Sequence, residues 1–284
     1  MVFRRYSDIE SFKTDVLDIL LEDEVRNNLP VSIVQNSSKF YNENWLLATV
    51  ADEQGVIVLI AICTLPYNIL LYKPVKTEDA DGQLMHFLAS QLKQINFKPP
   101  GVLAESDLAR CFANAYCGHD KYDLKMTMML MQLDKLTDYK TAPGFSRVLN
   151  EDDLSYTPSW EHAFSVDCTQ PLHAHAKIYE QIKSRLGKNI HFIWEDGKPV
   201  AQAVQGRVTP NGAAITYVYT PPEFRGNGYA TSVVAEVSKS ALDQGKRFCY
   251  LFADVANPVS CAVYHKLGYY DVCLFDEIKF DTLS

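Results

Sequence analysis

Val218-Tyr-Thr-Pro-Pro-Glu-Phe-Arg-Gly-Asn-Gly-Tyr-Ala230 is the most informative stretch of this chain. A strand-like run ends at Thr220, and two prolines and two glycines follow. Helical spacing then begins at Tyr229, with Val233, Val234, Val237 and Ala241 on one face. A strand that turns directly into a helix leaves the first helical amides unpaired, and the helix dipole adds positive potential there. Glycine at such a turn lets an anion approach the backbone closely. The stretch reads as a phosphate or pyrophosphate site, with Arg225 adding positive charge at its mouth. Two other phosphate loops are excluded. No G-x-x-x-x-G-K-[ST] is present, and Gly226-x-Gly228 is followed by Ala230-Thr231 where a dinucleotide fingerprint needs a third glycine.

Downstream, alternating Phe248, Tyr250 and Phe252 form a strand. Asn257-Pro-Val-Ser-Cys-Ala-Val-Tyr264-His-Lys-Leu-Gly-Tyr269 then forms a short helix ended by Gly268. The first segment, R-G-x-G-x-A, resembles the [Q/R]-x-x-G-x-[G/A] pyrophosphate loop of the GNAT superfamily of acyl-coenzyme A-dependent N-acyltransferases. The second resembles that family's N-x-x-A-x-x-x-Y-x-x-x-G-[FY] segment, with Ser260 in place of the usual alanine. Together they cover roughly residues 190 to 275, in the family's order. The resemblance implies a site for acetyl-coenzyme A. Backbone groups of Tyr217, Val218, Tyr219 and Thr220 would face the pantetheine arm. Arg225, Gly226, Asn227, Gly228, Tyr229, Ala230 and Thr231 would hold the pyrophosphate. Asn257 would lie beside the pantetheine, and the Tyr264 hydroxyl would face the thioester sulfur as general acid. Two readings from the residues stand beside these roles. Asn257 is also placed to cap the helix that follows it, and Tyr264 to pack in the core.

The same order of elements occurs twice. Each half reads helix, hairpin, strand, helix, strand, helix, strand. The hairpin turns at Gly55 and Gly197 lie 142 residues apart. Ser7 and Glu10 have capping-box spacing at the start of the first helix, and Ser106 is placed to cap a later one. Thr141-Ala-Pro-Gly144 is small and turn-prone, and it suggests a boundary near the midpoint. The expectation is an α/β (α+β) chain of two tandem GNAT-like domains, 1–141 and 142–284. Each would be a mixed, mostly antiparallel twisted sheet flanked by helices. The first copy is expected to be degenerate. Its equivalent turn, Lys73 to Gly82, has one glycine and three acids, Glu78, Asp79 and Asp81. Carboxylates there would occupy the helix amides and repel a phosphate.

With 284 residues, the chain is long enough for two domains of about 140 residues. Its net charge of −8 argues against nucleic acid as a partner. Seven scattered cysteines, with no C-x-x-C, suggest reduced thiols in an intracellular protein. The start has two arginines but no apolar run behind them, and no stretch reaches the ~20 apolar residues of a membrane helix. A soluble, cytoplasmic protein is expected. Cys168, His173 and His175 precede a helix without an evident fourth ligand, so no metal is expected. No G-x-S-x-G supports a serine nucleophile. The acids Glu151, Asp152 and Asp153 read as an exposed helix start.

The expected reaction is acetyl transfer from acetyl-coenzyme A to a primary amine by direct attack. Two alternatives stay open: a non-catalytic acyl-coenzyme A sensor, and an aminoacyl-tRNA-dependent peptide ligase.

Overall fold

A computed structural model of the chain describes residues 1–36, 41–74, 81–119, 121–168 and 172–280. The chain divides into two compact units, Met1–Leu130 with Val272–Ser284, and Met131–Asp271. Among the described residues, no helix is long and apolar enough to cross a membrane.

The first unit runs β1 (Val2–Arg5), α1 (Ile9–Leu21), α2 (Asn28–Asn36), β2 (Leu46–Ala51), β3 (Ile57–Cys63), β4 (Ile69–Tyr72), α3 (Asp81–Gln94), β5 (Gly101–Glu105), α4 (Ser106–Cys117) and β6 (Tyr122–Leu133). The second half of the chain repeats that order, although most of its last strand belongs to the first unit. It has β7 (Phe145–Val148), a 3-10 turn (Glu151–Ser155), α5 (Thr157–Asp167), α6 (His175–Lys183), β8 (His191–Glu195), β9 (Pro199–Val208), β10 (Gly212–Tyr219), α7 (Tyr229–Asp243), β11 (Phe248–Asp254), α8 (Pro258–Lys266) and β12 (Tyr270–Phe280). The pairing repeats as well. β2, β3 and β4 are successively antiparallel and β4 pairs parallel with β5; β8, β9 and β10 are successively antiparallel and β10 pairs parallel with β11. A parallel pair needs a crossover, and α3 and α7 supply it.

The hydrophobic pattern explains these elements. Phe12, Val16 and Leu20 recur at helical spacing on α1 and are fully buried. Leu84, Leu88 and Leu92 do the same on α3, against Ala61, Ile69 and Val102 of the sheet. In the second unit Val233, Val234, Val237 and Ala241 of α7 are fully buried, and Ile178 and Ile182 of α6 pack with Leu149 and Ile193.

Four local expectations change. The cap of α1 is Asp8, whose carboxylate accepts from the Ser11 amide at 2.8 Å; Ser7 does not cap it. Ser106 does not cap α4, because its hydroxyl is bonded to Asp276. Strands β1 and β7 and helices α2 and α5 are additional to the sequence reading. Of the acids at 151–153, only Glu151 and Asp152 are exposed. Asp153 is buried, takes both Arg147 amino groups at 2.7 and 2.9 Å, and closes a capping box with Asn150.

The units also differ from the repeats at 1–141 and 142–284, since the second unit begins at Met131 and Val272 onward belongs to the first. In the first unit the strand order is β1-β2-β3-β4-β5-β12-β6, so the last strand of the chain lies between β5 and β6. Its register against β5 runs from Phe275–Glu105 to Lys279–Gly101. A repeat shows which elements are present, and strand placement is a separate choice.

Asp276 fixes that placement. It is fully buried, and its carboxylate accepts from Arg110 Nε at 2.6 Å, Thr127 at 2.7 Å and Ser106 at 2.9 Å. Asp276→Ala strands three donors. The expected result is a loss of roughly 1–3 kcal/mol, read as a lower midpoint in urea unfolding of the full chain. An unchanged midpoint would mean that β12 is held by its backbone ladder alone.

Candidate active site

The second unit's sheet runs β11-β10-β9-β8-β7. The β10–β11 ladder pairs only Gly212–Phe248, Ala213–Cys249 and Ala214–Tyr250. Beyond Ala214 the two parallel strands part, and Ile215–Tyr219 continue without a β11 partner. On the other side, the β9 register slips between Thr216 and Tyr219, which oppose Val204 and Gln202. That is one extra residue, a β-bulge, and Tyr217 within it has a positive φ of 49°. Bulges bend a strand away from its partner, so the opening between β10 and β11 is built by the backbone.

The glycine turn follows directly. Pro222–Phe224 form one 3-10 turn, and Gly226 and Gly228 both have positive φ, 83° and 82°. A β-carbon built on Gly226 would meet nothing within 4 Å. Gly228 is the N-cap of α7 and has no side chain to cap it. The backbone amides from Gly226 to Thr231 make no hydrogen bond among the described residues, and the first turn of α7 closes with the Ser232 amide on the Gly228 carbonyl. Six successive donors without a hydrogen-bond partner among the described residues lie at the positive end of a 15-residue helix. The turn is pinned from below. The Tyr229 hydroxyl donates to Asp196 at 2.6 Å, and the Lys198 ammonium lies 4.7 Å from the Phe224 ring centre. Asn227 donates to the carbonyls of Phe224 and Arg225.

Arg225 is half exposed. Its Nε donates to the Thr220 carbonyl at 3.0 Å, and its Nη2 to Asp167 of α5 at 2.8 Å. The Asp167 pair offsets part of its charge, and both partners remain open to solvent, so the pair is weak and replaceable. The Thr220 hydroxyl is buried without a partner.

Asn257 is the N-cap of α8, its side chain accepting from the Ser260 amide at 3.2 Å. Tyr264, on the last turn of α8, is buried and packs edge-on against Tyr269 at 5.8 Å. Its hydroxyl makes no hydrogen bond among the described residues. Burial, with the nearby thiols of Cys168 and Cys261, raises its pKa well above that of a free phenol. Tyr264 is therefore protonated throughout the neutral range.

The sequence reading missed one wall of this site. Tyr156, Trp160 and Phe164 lie four residues apart along α5 and its start. Trp160 faces Tyr219 at 6.2 Å and Phe164 faces Tyr217 at 5.4 Å. Beneath them lie Glu161, paired with Arg185, and His191, which contacts Gln202 at 3.3 Å. Burial, reinforced by the Arg185 charge, lowers the His191 pKa to about 3, so the imidazole is neutral. Thr157-Pro158 at the helix start and the four-residue aromatic spacing were the available signals. Of the first half's acidic turn, Glu78 and Asp79 lie outside the described residues, as does the Asp81 side chain.

Residues 147–269 match the family model for the acetyltransferase (GNAT) family. Among solved structures, the chain is similar to a GNAT-family acetyltransferase from Colwellia psychrerythraea, at 12% identity over 99% of this chain and 100% of that one, with a TM-score of 0.64. It is also similar to a GCN5-related N-acetyltransferase from Sphaerobacter thermophilus, at 13% identity over 98% and 95%, with a TM-score of 0.68. A tandem GNAT protein from the clavulanic acid biosynthesis pathway matches at 14% identity over 98% and 97%, with a TM-score of 0.58. At these identities the likeness is one of fold. No curated protein matches the chain.

The open amides give a direct test. Aspartate tolerates the left-handed backbone that Gly228 adopts, so Gly228→Asp is expected to fold. Its carboxylate would cap the α7 amides and fill the space over them with negative charge. The expected result is a modestly lower Tm, from the strain of a side chain at positive φ, and at least a ~10-fold weaker acetyl-coenzyme A affinity by calorimetry. Equal affinity for variant and parent would put the pyrophosphate elsewhere.

Proposed function

We propose that this chain is a tandem-domain member of the GNAT superfamily and that its second unit moves an acetyl group from acetyl-coenzyme A to a primary amine. The observation that carries the reading is the run of six unpartnered amides at 226–231, beside a sheet opened by the β10 bulge. The residues fit a pyrophosphate at one end and an extended arm at the other. The glycine turn offers donors and space, and β10 offers unpaired backbone groups beyond Ala214.

When bound, acetyl-coenzyme A supplies an activated acetyl thioester. The chain's own contributions follow from position and charge. Gly226 to Thr231, with Arg225 alongside, take the pyrophosphate. Peptide groups of Tyr217 to Thr220 hold the arm and polarise the thioester carbonyl. Asn257, besides capping α8, fixes the start of the helix that carries Tyr264. The neutral amine attacks the carbonyl carbon, a C–N bond forms, and the C–S bond breaks. Tyr264 donates to the departing thiolate, and the amine's extra proton leaves to solvent or a base.

The first unit takes no coenzyme in this reading and serves as scaffold. Near the corresponding end of its β4–β5 pair, Arg26 reaches Asp23 at 2.5 Å and Glu105 at 3.4 Å. That position is occupied by ion pairs instead of open backbone.

A panel of amines, followed by thiol release from acetyl-coenzyme A, tests the activity. Thiol release at the buffer rate with every amine of the panel, while acetyl-coenzyme A still binds, would favour a non-catalytic acyl-coenzyme A binder. Tyr264→Phe then tests the acid. The ring and its Tyr269 contact stay, and only the hydroxyl is lost. A thiolate is a tolerable leaving group and the buried phenol holds its proton firmly. The loss in kcat is therefore expected near the low end of the ~10²–10⁴-fold typical of proton transfer, with acetyl-coenzyme A affinity and Tm little changed. Because the Tyr264 pKa is raised, no fall in kcat from its ionisation is expected up to about pH 10. An unchanged kcat in the variant would leave Tyr264 a packing residue.

A further inference from the structure

Tyr217 stands left-handed inside a strand, at φ 49°. A tyrosine does not hold that conformation unaided, because its β-carbon crowds the following carbonyl. Its side chain is gripped on two sides. The Arg185 guanidinium carbon lies 4.9 Å from the ring centre, and the Phe164 ring lies at 5.4 Å. Its carbonyl accepts from the buried Gln202 amide at 3.5 Å. Arg185 is fixed in turn by Glu161, through Nη1 to Oε1 and a longer contact of 3.4 Å from Nη2 to Oε2. The two side chains are 12% and 2% exposed, so the ion pair is buried.

Stability does not explain such a pair. Removing two charges from water costs more than most pairs recover, and apolar side chains of similar volume hold two helices to a sheet at least as well. What an apolar pair lacks is a flat cationic face, and that face lies against Tyr217.

We propose that Arg185, held by Glu161, is a positioning residue that clamps the Tyr217 ring and keeps its backbone left-handed. The bulge then stays formed, and the peptide groups of Val218 and Tyr219 stay turned into the open side of β10 instead of zipping onto a neighbouring strand. The geometric half of this inference is independent of function, and its effect on turnover rests on the acetyltransferase reading.

The double variant Glu161→Leu/Arg185→Met removes both charges together and leaves no buried ion unpaired. Its Tm is expected to be unchanged or raised, and calorimetry should find acetyl-coenzyme A bound more weakly, because the β10 peptide groups that hold the arm are no longer open. In its crystal structure Tyr217 is expected at negative φ, in the β region. kcat is expected to fall by ~10²-fold, the lower end for losing an oxyanion donor, with the amine KM nearly constant. Adding Tyr217→Gly to that background should restore most of the lost kcat, because glycine takes positive φ without a clamp. A merely structural pair would give no such rescue. Arg185→Lys serves if the double variant fails to fold. It keeps the charge opposite Glu161 and removes the flat face, with the same expected change in φ and kcat. A positive φ at Tyr217 in the folded variant, or an unchanged kcat after φ has changed, overturns the proposal. If the parent protein turns over no amine, the acetyltransferase reading falls, and φ at Tyr217 still decides the clamp.

Discussion

The parting of β10 from β11 after the Ala214–Tyr250 pair is the constraint on which the site depends. Two parallel strands that stayed zipped would consume the backbone groups of both. The extra residue in β10 against β9 bends the strand just beyond the end of that ladder. It leaves the β11-facing edge of β10 without a strand partner from Ile215 to Tyr219, in the second unit, directly before the glycine turn. The turn then supplies its own open donors at the start of α7. Unpaired backbone is costly inside a protein unless something else pairs with it. Two adjacent segments with that property argue for a ligand long enough to satisfy both, anionic at one end and amide-bearing along its arm.

The glycine turn was legible because its physics is local. Positive φ at Gly226 and Gly228 favours glycine, an uncapped helix start needs the absence of a capping side chain, and both can be read from the letters. The cap at Asn257 was legible for the same reason. The wall formed by α5 and α6 was not. Glu161 and Arg185 are separated by 24 positions, and nothing in either neighbourhood announces that they meet. The bulge was equally hidden, since Tyr217 is a good strand residue and its left-handed backbone is imposed by packing. The placement of β12 between β5 and β6 depends on Asp276 meeting Arg110, Ser106 and Thr127, a set of contacts no periodicity encodes.

The two units illustrate how one plan serves different ends. Both have a hairpin, a third antiparallel strand and a parallel crossover pair. In the second unit the polar groups at the crossover are left open. In the first, Arg26, Asp23 and Glu105 gather near the matching strand ends as ion pairs. An extended arm laid along those strand ends would have to displace an ion pair and face two carboxylates.

Amide hydrogen exchange of the full chain, with and without saturating acetyl-coenzyme A, reads both sets of open donors at once. Slower exchange is predicted at Gly226 to Thr231 and at Tyr217 to Tyr219, with no change from β1 to α4. Protection confined to the first unit, or none at 226–231 despite measured binding, would contradict the assignment of the coenzyme to the second unit's open backbone.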